Sequence, residues 1–148
     1  MDELAEIERA MITIRRSQSR RALSRVGTAG DSAVFGVLDA IEEAGGPCSV
    51  GEVAAALGVD QPRASRLVAR AVADGLIVRQ ADQQDGRRTL LALTARAHAH
   101  LAGAHASRQA VFARAMADWP DQDRAAFARL LGSFTASLGA LTSPSPGR

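Results

Sequence analysis

Apolar residues along this chain recur with two different periods, and the switches between them divide it into segments. Leu4, Ile7, Met11 and Ile14 alternate at spacings of three and four, which predicts one helix from Asp2 to roughly Arg25. Gly27 to Gly30 interrupts it, Asp31 or Ser32 is placed to cap a second helix, and Val34, Phe35, Leu38 and Ile41 give that helix its apolar face. Gly45-Gly46-Pro47 ends it. Two short helices, a β-prone pair and two long helices follow. Thr94 is placed to cap the first of those long helices, which is expected to run to about Asp118. Trp119-Pro120 marks a break, and Phe127, Leu130, Leu131, Phe134, Leu138 and Leu141 form the stripe of the last helix. The Ser/Pro/Gly-rich end from Thr142 to Arg148 is expected to be disordered. No internal repeat is visible.

The centre of the chain carries the most specific pattern. Ser49-Val50-Gly51-Glu52 reads as a capping box, with the Ser hydroxyl accepting from the amide three residues on and Glu52 reaching back. In the helix that starts there Val53, Ala54 and Leu57 face inward. Gly58 then supplies a turn that needs positive φ, and Val59 is an apolar plug. Asp60 caps the next helix, where Pro62 is tolerated because first-turn amides have no partner to lose. Ala64, Leu67, Val68, Ala71 and Val72 make its buried face, whereas Arg63, Arg66 and Arg70 share the opposite side with Gln61 and Ser65 near its N-terminal end. This is helix-turn-helix spacing, in which the first residues of the second helix meet base edges in the major groove. The plain alternative is a helical hairpin with an Arg-bearing solvent face; the full spacing favours the DNA-binding motif.

Gly75 closes that helix. Leu76 to Gln80 and Thr89 to Leu93 are β-prone, and the polar link Asp82 to Arg88 contains Asp85-Gly86, a hairpin turn signal. The pair reads as a wing. Arg87 and Arg88 at its tip are expected to reach a narrow minor groove, with Asp85 orienting Arg87 through a charge-assisted hydrogen bond.

Composition changes this picture little. The chain has 148 residues, a single-domain length, with 47% hydrophobic and only 3% aromatic residues, so Ala, Leu, Val and Ile must build its core. The net charge is +2, and all 18 basic side chains are Arg. An arginine fork suits phosphate and guanine edges. The same bias also marks a GC-rich genome and carries no weight by itself. Without Lys, neither a Walker-type phosphate loop nor a Schiff-base lysine is possible. Cys48 is the only cysteine, which excludes an intrachain disulfide and a cysteine-based zinc site and suits a reducing compartment.

The N-terminus lacks a basic segment followed by an apolar core, and no apolar run approaches membrane-spanning length. A cytoplasmic protein with no membrane partner is expected.

These residues resemble the MarR (multiple antibiotic resistance regulator) family over nearly the whole chain. The resemblance is carried by SVGEVAAALGVDQPRASRLVARAVADGLIVR, by DQQDGRRTLLALT with its Asp85-x-Arg87 element, and by flanking helices at both ends. It implies a mainly α fold with a small β-hairpin wing, a winged helix-turn-helix with N- and C-terminal dimerisation helices. On that pattern 1–148 is a single domain, with a winged lobe at 30–94, a helical dimerisation region at 1–26 and 95–141, and a tail at 142–148. It also implies an obligate homodimer reading a pseudo-palindrome in double-stranded DNA, with Ser65, Arg66 and Arg87 at positions that contact DNA. A repressor responding to a small-molecule effector, held among the first, second and fifth helices, completes the implication. The family often carries a Gly where this chain has Ala97, a departure at the start of the fifth helix.

The expected DNA contacts are therefore Ser49, Gln61, Pro62, Arg63, Ser65, Arg66, Arg70, Asp85, Arg87 and Arg88. Arg63 and Gln61 would read bases; Ser65, Arg66 and Arg70 would fix the helix on the backbone. The alternative is a winged helix used as a protein-interaction module, which would not need Arg63, Arg66 and Arg87 to converge.

Other groups are read more plainly. Arg15, Arg16, Arg20, Arg21 and Arg25 suit a solvated helix face better than a contact with DNA or an acidic partner. His98, His100 and His105 suit a solvent-facing cluster better than a metal site, because no Cys or Glu on that helix completes a ligand set. Cys48 has no basic neighbour in sequence and reads as an ordinary loop cysteine rather than a redox sensor. There is no His-Glu-x-x-His, no Gly-x-Ser-x-Gly, no Gly-rich nucleotide loop and no Tyr, so neither catalysis nor a cofactor is expected.

Overall fold

A computed structural model describes residues 2–19 and 29–142. The chain runs α1 (Glu3–Ser19), α2 (Ala29–Glu43), α3 (Val50–Leu57), α4 (Gln61–Ala73), β1 (Ile77–Ala81), β2 (Thr89–Leu93), α5 (Ala95–Ala115) and α6 (Asp121–Thr142). It divides into two compact units, residues 1–108 and 109–148, with the boundary inside α5. The fold is mainly α with a two-stranded antiparallel wing, as the sequence predicts.

The core of the first unit is small and aliphatic. Val34, Val37, Leu38 and Ile41 of α2 meet Val53 of α3, Val68 and Ala71 of α4, Leu76 and Ile77, Leu91 of β2, and Ala97 and Leu101 of α5. Leu38, Val68, Ala71, Leu91, Ala97 and Leu101 are fully enclosed. Ala97 therefore lies inside the core on a regular helix, and the departure noted at that position leaves the start of α5 intact.

Local chemistry explains the element boundaries. Ser49 Oγ accepts from the Glu52 amide at 3.2 Å, and Asp60 Oδ1 accepts from the Arg63 amide at 2.8 Å, so each helix of the central pair starts on a side-chain cap. Gly58 lies at φ 65°, ψ 34°, and the Val59 amide donates to the Ala54 carbonyl at 3.1 Å, closing α3 as a Schellman turn. Gly75, at φ 73°, closes α4 likewise, with the Leu76 amide on the Ala71 carbonyl at 2.9 Å. Thr94 caps α5 through its Oγ1, which accepts from the Ala97 amide at 3.2 Å. The same hydroxyl donates to the Gly75 carbonyl at 2.8 Å, tying the end of the wing to the end of α4.

Several boundaries differ from the sequence expectation. Helix α2 begins at Ala29, so Asp31 and Ser32 lie inside its first turn rather than capping it. Polar residues are tolerated there because first-turn amides have no partner within the helix. Helix α5 ends at Ala115, short of Asp118. The Leu76 strand start moves to Ile77 because the Leu76 amide is spent on the α4 turn. Arg20, Arg21, Arg25 and Gly27, and the tail from Ser143 onward, lie outside the described residues. Thr142 belongs to α6.

In the second unit Trp119 meets Phe127 edge-on at 5.5 Å between ring centres, and Arg124 pairs with Asp121 one turn away. No residue of α6 is buried. No helix among the described residues is long and apolar enough to cross a membrane.

Candidate nucleic-acid interface

The two central helices are held together by small and aliphatic residues. Val53 and Ala54 of α3 and Ala64, Val68 and Ala71 of α4 are buried, and Leu57 and Leu67 are half-buried between them. Ala64 has no exposed surface at all, so α4 approaches the core closely enough that a larger side chain there would force the helices apart. Every other residue of α4 on the far side is exposed: Gln61, Pro62, Arg63, Ser65, Arg66 and Arg70 all face water. The helix contains three arginines and no acid, and its acidic neighbours, Asp60 and Asp74, sit at its two caps. Its N-terminal amides add the positive end of the helix dipole to the side that carries Arg63. A face so charged matches a polyanion.

The wing lies in the same unit and is pinned on two sides. β1 and β2 pair antiparallel in the register Ile77↔Leu93 to Ala81↔Thr89. Cys48 adds a bridge to Leu91, its amide donating at 3.1 Å and its carbonyl accepting at 2.7 Å, so the residue before the α3 cap is stitched to the wing. Ser49, half-buried, sits between that bridge and α3.

The wing tip departs from a two-residue hairpin. The loop spans Asp82 to Arg88, and Gly86 has no positive φ among the glycines that adopt one. Asp85 opens the turn instead: its carbonyl accepts from the Arg88 amide at 2.9 Å and its Oδ1 from the Arg87 amide at 3.1 Å. Asp85 therefore holds the backbone of Arg87, not its guanidinium as expected. Asp82 closes the loop, its amide donating to the Arg88 carbonyl at 3.0 Å. Asp85, Arg87 and Arg88 are all exposed.

One link was not foreseen. Arg88 Nη2 lies 3.2 Å from Glu52 Oε1, so the carboxylate expected to finish the capping box points at the wing. Both side chains are more than half exposed, and such a pair is worth at most about 1 kcal/mol. Its role is orientation: it draws Arg88 toward α3 while Arg87 stays exposed. Because the partners are 36 residues apart, no local pattern announces them.

The groups read plainly fall as follows. The Cys48 thiol is 2% exposed, and burial, then the Glu52 carboxylate, pushes its pKa up, which keeps it a protonated core thiol. Arg15 and Arg16 are exposed on α1. His98 and His100 are exposed as expected, but His105 is half-buried and its Nε2 lies 2.6 Å from Glu42 Oε1 of α2.

The fold and the basic second helix define a winged helix-turn-helix protein. Residues 31–88 match the model of the MarR family. No curated protein matches the chain in sequence. Among solved structures, a protein from Pseudomonas aeruginosa PA01 is 27% identical, with 96% of each chain covered and a TM-score of 0.73. A MarR family protein from Bacillus stearothermophilus is 20% identical over 93% of this chain and 98% of that one, with a TM-score of 0.72. BpsR from Bordetella bronchiseptica, whose DNA binding is regulated by 6-hydroxynicotinic acid, is 23% identical over 86% of this chain and 98% of its own, with a TM-score of 0.58. Through its winged segment, 31–88, the chain is similar to the MarR family.

Proposed function

We propose that this protein is a homodimeric regulator that binds a pseudo-palindromic site in double-stranded DNA through α4 and the wing, and represses transcription until a small-molecule effector lowers its affinity. The observation that carries the reading is the separation of faces on α4, with Ala64, Val68 and Ala71 buried and Arg63, Arg66 and Arg70 on the opposite, exposed side. In this reading Gln61 and Arg63, at the N-terminal end, read base edges. Ser65, Arg66 and Arg70 hold phosphates, and Ser49 and Pro62 bring the starts of α3 and α4 against the backbone. Arg87, presented by Asp85, enters the minor groove, with Arg88 beside it.

Dimerisation is supported by apolar stripes that a single chain leaves in water. On α1 these are Leu4, Ile7, Met11 and Ile14, 37–72% exposed; on α6 they run from Phe127 to Leu141, 38–84% exposed. Stripes of that size mark protein contacts. We assign 1–26 and 95–141 to the dimerisation region of one MarR-like domain. The effector rests on the family's ligand-responsive members, of which BpsR is one.

Equilibrium titration against duplex DNA over a range of salt tests the reading. The expected result is a log–log slope of about −0.9 per phosphate neutralised, and a dimeric mass at micromolar concentration. Salt-independent or absent DNA binding would favour a protein-interaction module, and a monomeric mass would remove the dimer.

A further inference from the structure

We propose that Asp39, Glu42 and His105 form a binding site for one divalent transition-metal cation, for which Zn2+ is the reference probe. Asp39 and Glu42 stand at a spacing of three on α2 and so share a face; His105 comes from α5. One ligand atom from each lies within 4.8 Å of the other two. Imidazole with carboxylates is a donor set for Zn2+ and neighbouring first-row cations, and lacks the all-oxygen character that Mg2+ and Ca2+ prefer. The fifth helix has no Cys or Glu to complete a ligand set, and the fold brings two acids to it from the second helix.

The ligands are placed rather than merely near. The His105 ring stands edge-on to Phe35 at 6.5 Å, and Phe35 is itself covered by the Arg108 guanidinium at 4.3 Å. That packing fixes the imidazole so that Nε2 faces Glu42 at 2.6 Å. Ligands on one Zn2+ sit about 2.0–2.2 Å from the ion. Capture therefore replaces the His105–Glu42 hydrogen bond by two coordinate bonds and swings Asp39 inward. The half-buried and exposed side chains leave the remaining coordination position to water. Coordination would use the Nε2 lone pair of His105 and one carboxylate oxygen from each of Asp39 and Glu42. The groups facing that imidazole are Glu42 and Asp39 from α2, with Arg108 and His100 on its own helix around Phe35. The cation would clamp α2, which carries Leu38 and Ile41 of the core, to α5.

The full-length chain, stripped with chelator and titrated with Zn2+ by calorimetry at neutral pH, should take up one ion per chain. His105→Gln and Glu42→Gln should each weaken binding by at least about tenfold, the loss typical even of supporting residues at metal sites. His98→Gln and His100→Gln, which alter the exposed histidines, should bind as the parent does. Zn2+ should also raise the unfolding midpoint of the parent and of His98→Gln but not of His105→Gln, a comparison that holds even if the variants differ in stability without metal. Equal binding by the parent and His105→Gln, or loss of binding on changing His98 instead, would overturn the proposal, as would the absence of stoichiometric uptake.

Discussion

Truncating Leu38 to alanine is expected to destabilise the first unit by about 2–5 kcal/mol, a large part of the roughly 5–15 kcal/mol that holds a domain together. Leu38 has no exposed surface and belongs to the cluster in which α2 meets α3, α4, the wing strands and the start of α5. The core contains almost no aromatic side chain that could move into the space; half-buried Phe35 is committed to His100, His105 and Arg108. The cavity should therefore stay largely open, which puts the cost at the upper part of that range. Denaturant unfolding would show a lower midpoint with an unchanged slope. Gln83→Ala, in the exposed wing loop, should stay within about 0.5 kcal/mol of the parent. A Leu38→Ala midpoint equal to that of the Gln83 control would contradict the assigned core.

Arg63→Ala should act on specificity rather than on folding. The residue is exposed in the first turn of α4, and the bond to Asp60 Oδ1 is made by its backbone amide, which the substitution leaves in place. The expected result is a loss of ~1–3 kcal/mol on the preferred site, little change on unrelated DNA, and relaxed preference at one base position of each half-site. Arg70→Ala, two turns further along the same face, should weaken all sequences alike and flatten the salt slope by about one phosphate's worth. If both variants bound the preferred site as tightly as the parent at moderate salt, the division of labour along α4 would be wrong.

How much of this was visible in the sequence follows from how local each signal is. The start and end of α3 and α4 were legible almost to the residue, because Ser49, Gly58, Asp60 and Gly75 each act within five positions of themselves. The buried face of α4 was legible for the same reason, since helical period alone separates Ala64, Val68 and Ala71 from the arginines. The wing strands were placed, but not the shape of its tip: Asp85-Gly86 is an ordinary hairpin signal, and only the full loop shows Asp85 caught by the Arg87 and Arg88 amides. The start of α2 was misplaced because a helix start tolerates many residues and a polar side chain near it need not be the cap.

What could not be read was non-local. Glu52 reaches Arg88, Cys48 bridges Leu91 and His105 meets Glu42, the last across 63 residues. Each is fixed by how the helices pack and leaves no periodic trace. Two of them changed a reading: Glu52 moved from the capping box to the wing, and His105 moved from a solvent-facing cluster to a hydrogen bond with Glu42 of α2.

If two copies of the winged unit read duplex DNA together, as proposed, footprinting on the promoters of the protein's own and adjacent genes will show it. The expected footprint is a protected pseudo-palindrome whose half-sites lie about one helical turn, or a multiple of roughly 34–36 Å, apart, with protection lost in the combined Arg63→Ala, Arg66→Ala variant. Uniform protection without a palindrome, or the same footprint from that variant, would contradict it.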